Sequence, residues 1–310
     1  MRETHPPIVL PAALSPGDTI GIAAPAGAFD AERFRRGVAM LEQMGFLVQV
    51  PPGVYEKHRY LAGSDEHRAE GLHALFRDPA VKAVFCARGG FGSARILPLL
   101  DFELIGRNPK ILAGFSDVTV LLSTVSARTG LVTFHAPVIT ALADAGPTTR
   151  EAMITALAAE AVIEYRSTQA AVVPGTARGV VCGGNLASLC HLIGTLYQFD
   201  CTGTLLFLED VNEPAYRIDR MFTQMSQAGV LTGAAGILLG RFDNCGDERI
   251  IREIVREHVD ESIPILAGLA VGHGGRNLTL PLGLPASMDA AAGMLRYEGP
   301  AVRGGRGQVS

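Results

Sequence analysis

The segment Ile111-Leu112-Ala113-Gly114-Phe115-Ser116-Asp117-Val118 ends an apolar run in a hydroxyl and an acid, and a second apolar run, Val118 to Val125, follows at once. Buried strand, sharp turn and helix is the reading that fits this pattern. A serine at such a corner stands at the tip of a tight turn, beside helix amides that are free to bind an anion. Nucleophilic attack on a carbonyl is the chemistry this placement permits. Capping a helix is the plainer use of the same serine. The segment reads GFSDV, with Val118 where the GxSxG elbow of α/β-hydrolases has its second glycine, so a somewhat different elbow is expected.

Three further segments end in groups that could complete a hydrolytic site. The turn Ala87-Arg88-Gly89-Gly90-Phe91-Gly92-Ser93 holds three glycines after an apolar run. It lacks the GxGxxG spacing and the Lys-Ser/Thr of a phosphate loop. It could instead aim the Gly90 amide, together with that of Asp117, at a carbonyl oxygen, or simply be a tight turn. Leu205-Leu206-Phe207-Leu208-Glu209 reaches an acid through four apolar residues. Glu209 at the strand end is the more rigid candidate to orient a histidine, whereas Glu213 suits the first turn of a following helix. His273 follows the apolar run Ile265-Val271 and sits among glycines, a placement that suits a general base at the edge of a cleft. Capping or ion pairing is its plainer use. Of the other histidines, His58, His67, His73 and His258 read as solvated, His191 as helical and His135 as part of a strand. No HExxH, HxH or Cys/His cluster occurs, so no metal and no cofactor is expected.

Positioning these groups falls to alternating apolar runs and amphipathic segments. The runs Thr19-Ala24, Phe46-Val50, Val81-Ala87, Ile111-Phe115 and Val132-Ala136 read as strands. Between them, Asp30 to Met44 and Ser64 to Arg77 read as helices, the first stopped at Gly45 and the second opened by Ser64-Asp65-Glu66. This order predicts an α/β fold: an N-terminal, mostly parallel sheet with flanking helices and a C-terminal α/β domain, with ligands at the carboxyl ends of strands. The expected division is residues 1–165 for the first domain, 166–178 for a linker and 179–310 for the second. In the second part, Gly179-Cys182, Leu205-Leu208, Ala234-Leu239 and Ile265-Val271 read as strands, Ala215 to Gln227 as a helix behind Pro214, and residues 303–310 as a frayed tail.

Composition narrows the class. The chain has 310 residues, 48% hydrophobic and 19% charged, with a net charge of −4. A large core is possible, and there is no electrostatic case for nucleic acid or membrane as partner. Cys86, Cys182, Cys190, Cys201 and Cys245 are odd in number and form no CxxC pair, which fits free thiols in a reducing compartment. No run reaches the ~18 apolar residues of a membrane span, so a cytoplasmic protein is expected.

The four segments in order, GGFGSARIL, GFSD, LFLEDVNEPAYRIDRM and GHGGRNLTLPLG, resemble the LD-carboxypeptidases (muramoyltetrapeptide carboxypeptidases), a serine peptidase family, and their microcin C immunity relatives. SPGDTIGIAAPAG and YLAGSDEHRAEGLHALFRDPAVKAVFCARGG extend the resemblance over nearly the whole chain. It implies an active site between two domains, with Ser116, Glu209 and His273 as the triad and Glu213 as the fallback acid. It also implies an oxyanion hole from the amides of Gly90 and Asp117, a homodimer, and a murein tetrapeptide cut before its terminal D-alanine. Such a substrate carries a free carboxylate and a second zwitterionic end, for which Arg88, Arg217, Arg241 and Arg276 are available; the strand-end positions favour Arg88 and Arg241. Two other readings stand beside this one. A microcin-type hydrolase of aminoacyl or peptidyl nucleotides would stack a base on an aromatic ring, and the chain has no Trp. A pair of domains could also clamp a small ligand without chemistry. A dinucleotide-binding oxidoreductase would need a glycine fingerprint near the first strand, which is lacking.

Overall fold

The expected strands of the first half form one parallel array. In the computed structural model, which describes residues 6–167 and 169–304, they are β1 (Thr19–Ala23), β2 (Leu47–Gln49), β3 (Val81–Cys86), β4 (Ile111–Gly114) and β5 (Thr133–His135). Their spatial order is β5-β4-β3-β1-β2, every neighbour parallel. The helices between them start where the sequence offers a cap. Asp30 accepts from the Arg33 amide at 2.7 Å to open α1 (Ala31–Gln43), and Ser64 accepts from the His67 amide at 3.2 Å to open α2 (Asp65–Arg77). Phe34 and Leu41 of α1 and Leu72, Leu75 and Phe76 of α2 are buried against the sheet, the 3.6-residue stripe turned inward. Shorter helices α3 (Ser93–Ile96) and α4 (Phe102–Arg107) follow β3, and α5 (Thr119–Thr129) follows β4. α6 (Ile139–Leu142) and α7 (Pro147–Ala158) close this part of the chain.

A second sheet has seven strands. β6 (Val162–Arg166), β7 (Thr176–Asn185), β8 (Thr204–Val211), β9 (Gly236–Asp243), β10 (Ile265–Leu266), β12 (Pro285–Asp289) and β13 (Met294–Pro300) lie in the order β10-β9-β8-β7-β12-β13-β6. β7 to β10 are mutually parallel, and β12, β13 and β6 are added antiparallel. Helices α8 (Leu186–Cys190), α9 (Ala215–Gln227) and α10 (Glu248–His258) pack on its parallel part.

Two strands change sheets relative to their place in the chain. β6 ends the first half of the chain yet pairs with β13, and β11 (Leu280–Leu282) returns to the first sheet, antiparallel to β5. Residues 166–178, expected as a linker, hold the end of β6 and the start of β7. β6 is a one-sided strand: Ile163 and Tyr165 are buried while Val162, Glu164 and Arg166 are exposed, a signal too short to place it from sequence. The expected strand Ile265-Val271 is regular for only two residues. Beyond Leu266 the chain still follows β9, with Leu269 donating to Leu239 and Arg241 donating to Val271. Most of the expected C-terminal tail, from 305 on, lies outside the described residues.

β8 divides the hydrophobic interior. Leu205 and Phe207 face a core shared with the first sheet, and Leu206 and Leu208 face a second core under α8, α9 and α10. The two-residue period of a strand sends the next odd position, Glu209, toward the first sheet. No helix among the described residues is long and apolar enough to cross a membrane.

Candidate active site

Ser116 opens a single tight turn, Ser116–Val118, at the carboxyl end of β4, and α5 follows it. Its φ is +63°, in the left-handed region that a non-glycine residue occupies at a cost of order 1–3 kcal/mol. The Val118 amide donates back to the Phe115 carbonyl at 3.3 Å and closes the turn.

The glycine turn lies against it. A Cβ built on Gly89 would stand 2.8 Å from Ser116 Cβ and 3.3 Å from the Asp117 nitrogen, so only a residue without a side chain fits there. The Asp117 carboxylate accepts from the Ser93 amide at 2.8 Å and ties the start of α3 to the serine turn. Behind both, the fully buried guanidinium of Arg68 donates to the carbonyls of Pro25 and Gly92 and pairs with Asp65. Arg68 has no distinguishing mark in the sequence, because burial of one arginine on an amphipathic helix depends on the loops that fold over it.

Glu209 and His273 meet from separate elements. Glu209, 0% exposed at the end of β8, accepts through one oxygen both from the His273 ring, at 2.7 Å to Nδ1, and from the His273 amide, at 3.1 Å. With Nδ1 held by the carboxylate, Nε2 is the nitrogen left to take a proton. Gly272 makes this approach possible: at φ +110° a Cβ there would stand 2.6 Å from the same carboxylate oxygen. The imidazole rests on the ring of Phe115, centroids 4.7 Å apart, and Phe115 immediately precedes Ser116. The structure therefore brings His273 and Glu209, from the second sheet and its loops, to the serine turn of the first. The β7–α8 junction joins the two sheets at this point, where the Asn185 amide donates to Thr119 Oγ1 at 3.0 Å.

Opposed effects act on both members of the pair. Burial disfavours the imidazolium of His273, but the hydrogen bond and charge of Glu209 outweigh it, so the group titrates above its ordinary range. Burial likewise opposes the Glu209 carboxylate, and the bond to His273 more than compensates, holding its carboxyl below the usual range. His135, on β5, is a second buried imidazole here, edge-on to Phe115 at 5.7 Å and to Phe207 at 5.1 Å. Burial pushes it down to about 4, with the Glu209 charge opposing that shift and the His273 charge adding to it. As a neutral ring behind the pair, it was legible on sequence only as a strand residue.

The remaining sequence candidates fall at different places. Glu213 is four residues beyond Glu209 and pairs with Arg217 at 3.5 Å. Arg88 is exposed, donates to the Ala28 carbonyl and lies along Gly90, its Nε 3.7 Å from where a Cβ of that glycine would be. Arg241 lies along the loop after His273, its Nε 2.7 Å from the corresponding point on Gly274. Arg276 is exposed in the same loop. His73, expected in solvent, is buried, and its Nε2 accepts from the Asp101 amide at 3.0 Å.

Comparison with known proteins matches the chain to two family models, the LD-carboxypeptidase N-terminal domain over residues 20–136 and the LD-carboxypeptidase C-terminal domain over residues 178–288. A probable murein peptide carboxypeptidase of Bacillus subtilis is 40% identical over 293 residues, covering 91% of this chain and 92% of that protein. The microcin C7 self-immunity protein MccF of Escherichia coli is 31% identical over 328 residues, covering 93% and 95%. The crystal structure of muramoyltetrapeptide carboxypeptidase from Oxalobacter formigenes superposes with a TM-score of 0.80 at 29% identity, covering 90% of this chain and 97% of that one.

Proposed function

The chain belongs to the LD-carboxypeptidase family and is a serine-type carboxypeptidase, and from that premise we propose that it releases the terminal D-alanine of a murein tetrapeptide through Ser116, His273 and Glu209. One observation carries the reading: a buried carboxylate–imidazole pair from the second sheet is laid on Phe115, next to a serine held in a strained turn. A buried carboxylate that orients an imidazole is what activation of a serine requires, and it favours catalysis over ligand clamping.

In the proposed reaction His273 Nε2 takes the Ser116 proton as the hydroxyl oxygen attacks the carbonyl of the residue before D-alanine. Glu209 keeps the imidazole in the required tautomer and offsets the charge of the imidazolium. The amides of Gly90 and Asp117 receive the oxyanion. Each such donor contributes ~2.7–4 kcal/mol of transition-state stabilisation in comparable sites. His273 then protonates the leaving amine of D-alanine, and water, activated by the same imidazole, releases the acyl group from Ser116. Arg88, beside Gly90, and Arg241, beside Gly274, suit a substrate with an anion toward each end. We place the reaction in the cytoplasm, on peptides returned from the cell wall; five free cysteines agree with a reducing compartment.

The relationship to the self-immunity protein supports a second substrate class, an aminoacyl or peptidyl nucleotide. Assaying both with one preparation separates them. Release of free D-alanine from the tetrapeptide with negligible nucleotide cleavage is expected, and the reverse preference would replace this reading with the second.

A further inference from the structure

Next to the serine turn the first sheet exposes two aromatic rings and a cation. His58 and Leu61 bond to each other in both directions, at 2.9 and 3.0 Å, so Arg59 and Tyr60 form the two-residue tip of a tight hairpin. Arg59 holds φ +58° at that tip, where glycine is the residue without steric cost. Its guanidinium lies over the Tyr60 ring, 5.8 Å from the centroid. Tyr60 meets Phe91 edge-on at 5.9 Å and 64°, and the two rings are 56% and 44% exposed. The hairpin is fixed to the glycine turn through the loop between β1 and α1: Ala28 donates to Tyr60 at 2.9 Å and Gly27 donates to Gly89 at 3.1 Å.

The position matters because Phe91 directly follows Gly90. A carbonyl held by the Gly90 and Asp117 amides would place the side chain of its own residue within reach of Phe91 and Tyr60. The charge balance of this wall favours an anion. Asp65 is engaged by Arg68 and Arg95, and Glu56 stands 3.7 Å from His67, whereas neither Arg59 nor Arg88 forms an ion pair among the described residues. A nucleobase is less well served. The rings are not parallel, and Arg59 already covers one face of Tyr60.

We propose that Arg59, Tyr60 and Phe91 form a specificity subsite for the side chain of the residue whose carbonyl is attacked, its methylenes against the rings and a terminal carboxylate on Arg59. The proposal rests on the carboxypeptidase reading above. It selects, among long diamino acids, those whose side chain carries a terminal carboxylate.

Two D-alanine-terminated tetrapeptides that differ only at the third residue, 2,6-diaminopimelate or lysine, test it. Turnover by the wild-type protein and binding to Ser116→Ala by calorimetry are read separately. The diaminopimelate peptide is expected to bind about fivefold more tightly, the upper value of one guanidinium–carboxylate pair at an exposed site. Arg59→Gln in the Ser116→Ala background should bring the ratio of dissociation constants to within twofold of one, and Arg59→Lys should restore part of it. Phe91→Ala in the otherwise wild-type protein should raise KM for both peptides severalfold while kcat changes less. Arg107→Gln, on an exposed helix pair with Glu103, is the control and should leave the ratio unchanged. A binding ratio near one in the Ser116→Ala protein, or a ratio that survives Arg59→Gln, overturns the subsite. Selective binding without any turnover by the wild-type protein would support the subsite and sink the carboxypeptidase reading instead. Failure to bind either peptide overturns both.

Discussion

Glu209→Gln probes the account at its most buried point. The substitution keeps the shape of a side chain that is 0% exposed and lets one amide oxygen still accept from the His273 ring and backbone. What it removes is charge. When the imidazolium forms, its centre and that of the carboxylate lie about 4 Å apart. Two unit charges at that distance and an effective dielectric of 20 attract by about 4 kcal/mol. Lost from the transition state, this predicts a fall of about a thousandfold in kcat. The pH dependence must move with it. Burial is then opposed only by the charges of Asp210 and Asp243, so the titration of His273 falls and the acid limb of kcat/KM shifts to lower pH. Stability carries the same signature. The raised value of His273 contributes stability that is complete below 6.5 and lost as pH rises through the folded-state value. The lowered value of Glu209 contributes stability that is present above 4.5 and lost as pH falls through its folded-state value. The pair is therefore most stabilising between these two limits, and that maximum should vanish in Glu209→Gln. D-alanine release and thermal unfolding across pH 4 to 9 read both effects. Glu213→Gln, which removes only the pair with Arg217, should keep its rate within about twofold, since such pairs are worth about 0.3–0.5 kcal/mol. A larger loss in Glu213→Gln than in Glu209→Gln, or an acid limb that stays in place, would refute the reasoning.

Three further expectations concern the neighbours of that pair. Ser116→Ala should abolish release of D-alanine and leave the unfolding midpoint within a few degrees of wild type, read by calorimetry; residual turnover above one part in a thousand would remove Ser116 from its role. Gly89→Ala introduces a Cβ 2.8 Å from that of Ser116 and should lower kcat about a hundredfold in a folded protein, because a displacement near 1 Å of a reacting group has that effect. His135 titrates near 4 when folded and near 6.5 when unfolded, so the unfolded chain takes the proton first and the wild type loses about 3 kcal/mol between those pH values. In His135→Phe the denaturant midpoint should fall less steeply over that range, and an unchanged slope would contradict the assignment of a neutral buried ring.

Much of the site can be read from the chain because its parts end regular elements. Leu205 to Leu208 could only be a buried strand, and alternation along it sets Glu209 on the Phe207 side, where His273 meets it. The strand-turn-helix around Ser116 is equally plain from its two apolar runs, although neither the positive φ of the serine nor the approach of Gly89 to it leaves a local trace. Arg68 and His135 are hidden for a common reason: an isolated polar residue on a helix or strand looks solvated until a distant loop or sheet covers it. The exchange of β6 and β11 between sheets escapes notice because each is short, and pairing partners more than a hundred residues away leave no local trace. The end of β10 misleads in the opposite way. Ile265-Val271 is apolar because it is buried beside β9, but Gly268 at φ +78° interrupts the extended backbone.

The central claim, that a histidine and a glutamate from the second sheet activate a serine of the first, is open to one direct measurement. An alkyl fluorophosphonate, which labels only activated serines, is mixed with the protein, and the modified peptide is located by mass spectrometry. The account predicts stoichiometric labelling confined to Ser116, lost in His273→Ala and slowed about a thousandfold in Glu209→Gln. Labelling at another residue, or at Ser116 with equal speed in His273→Ala, would contradict it.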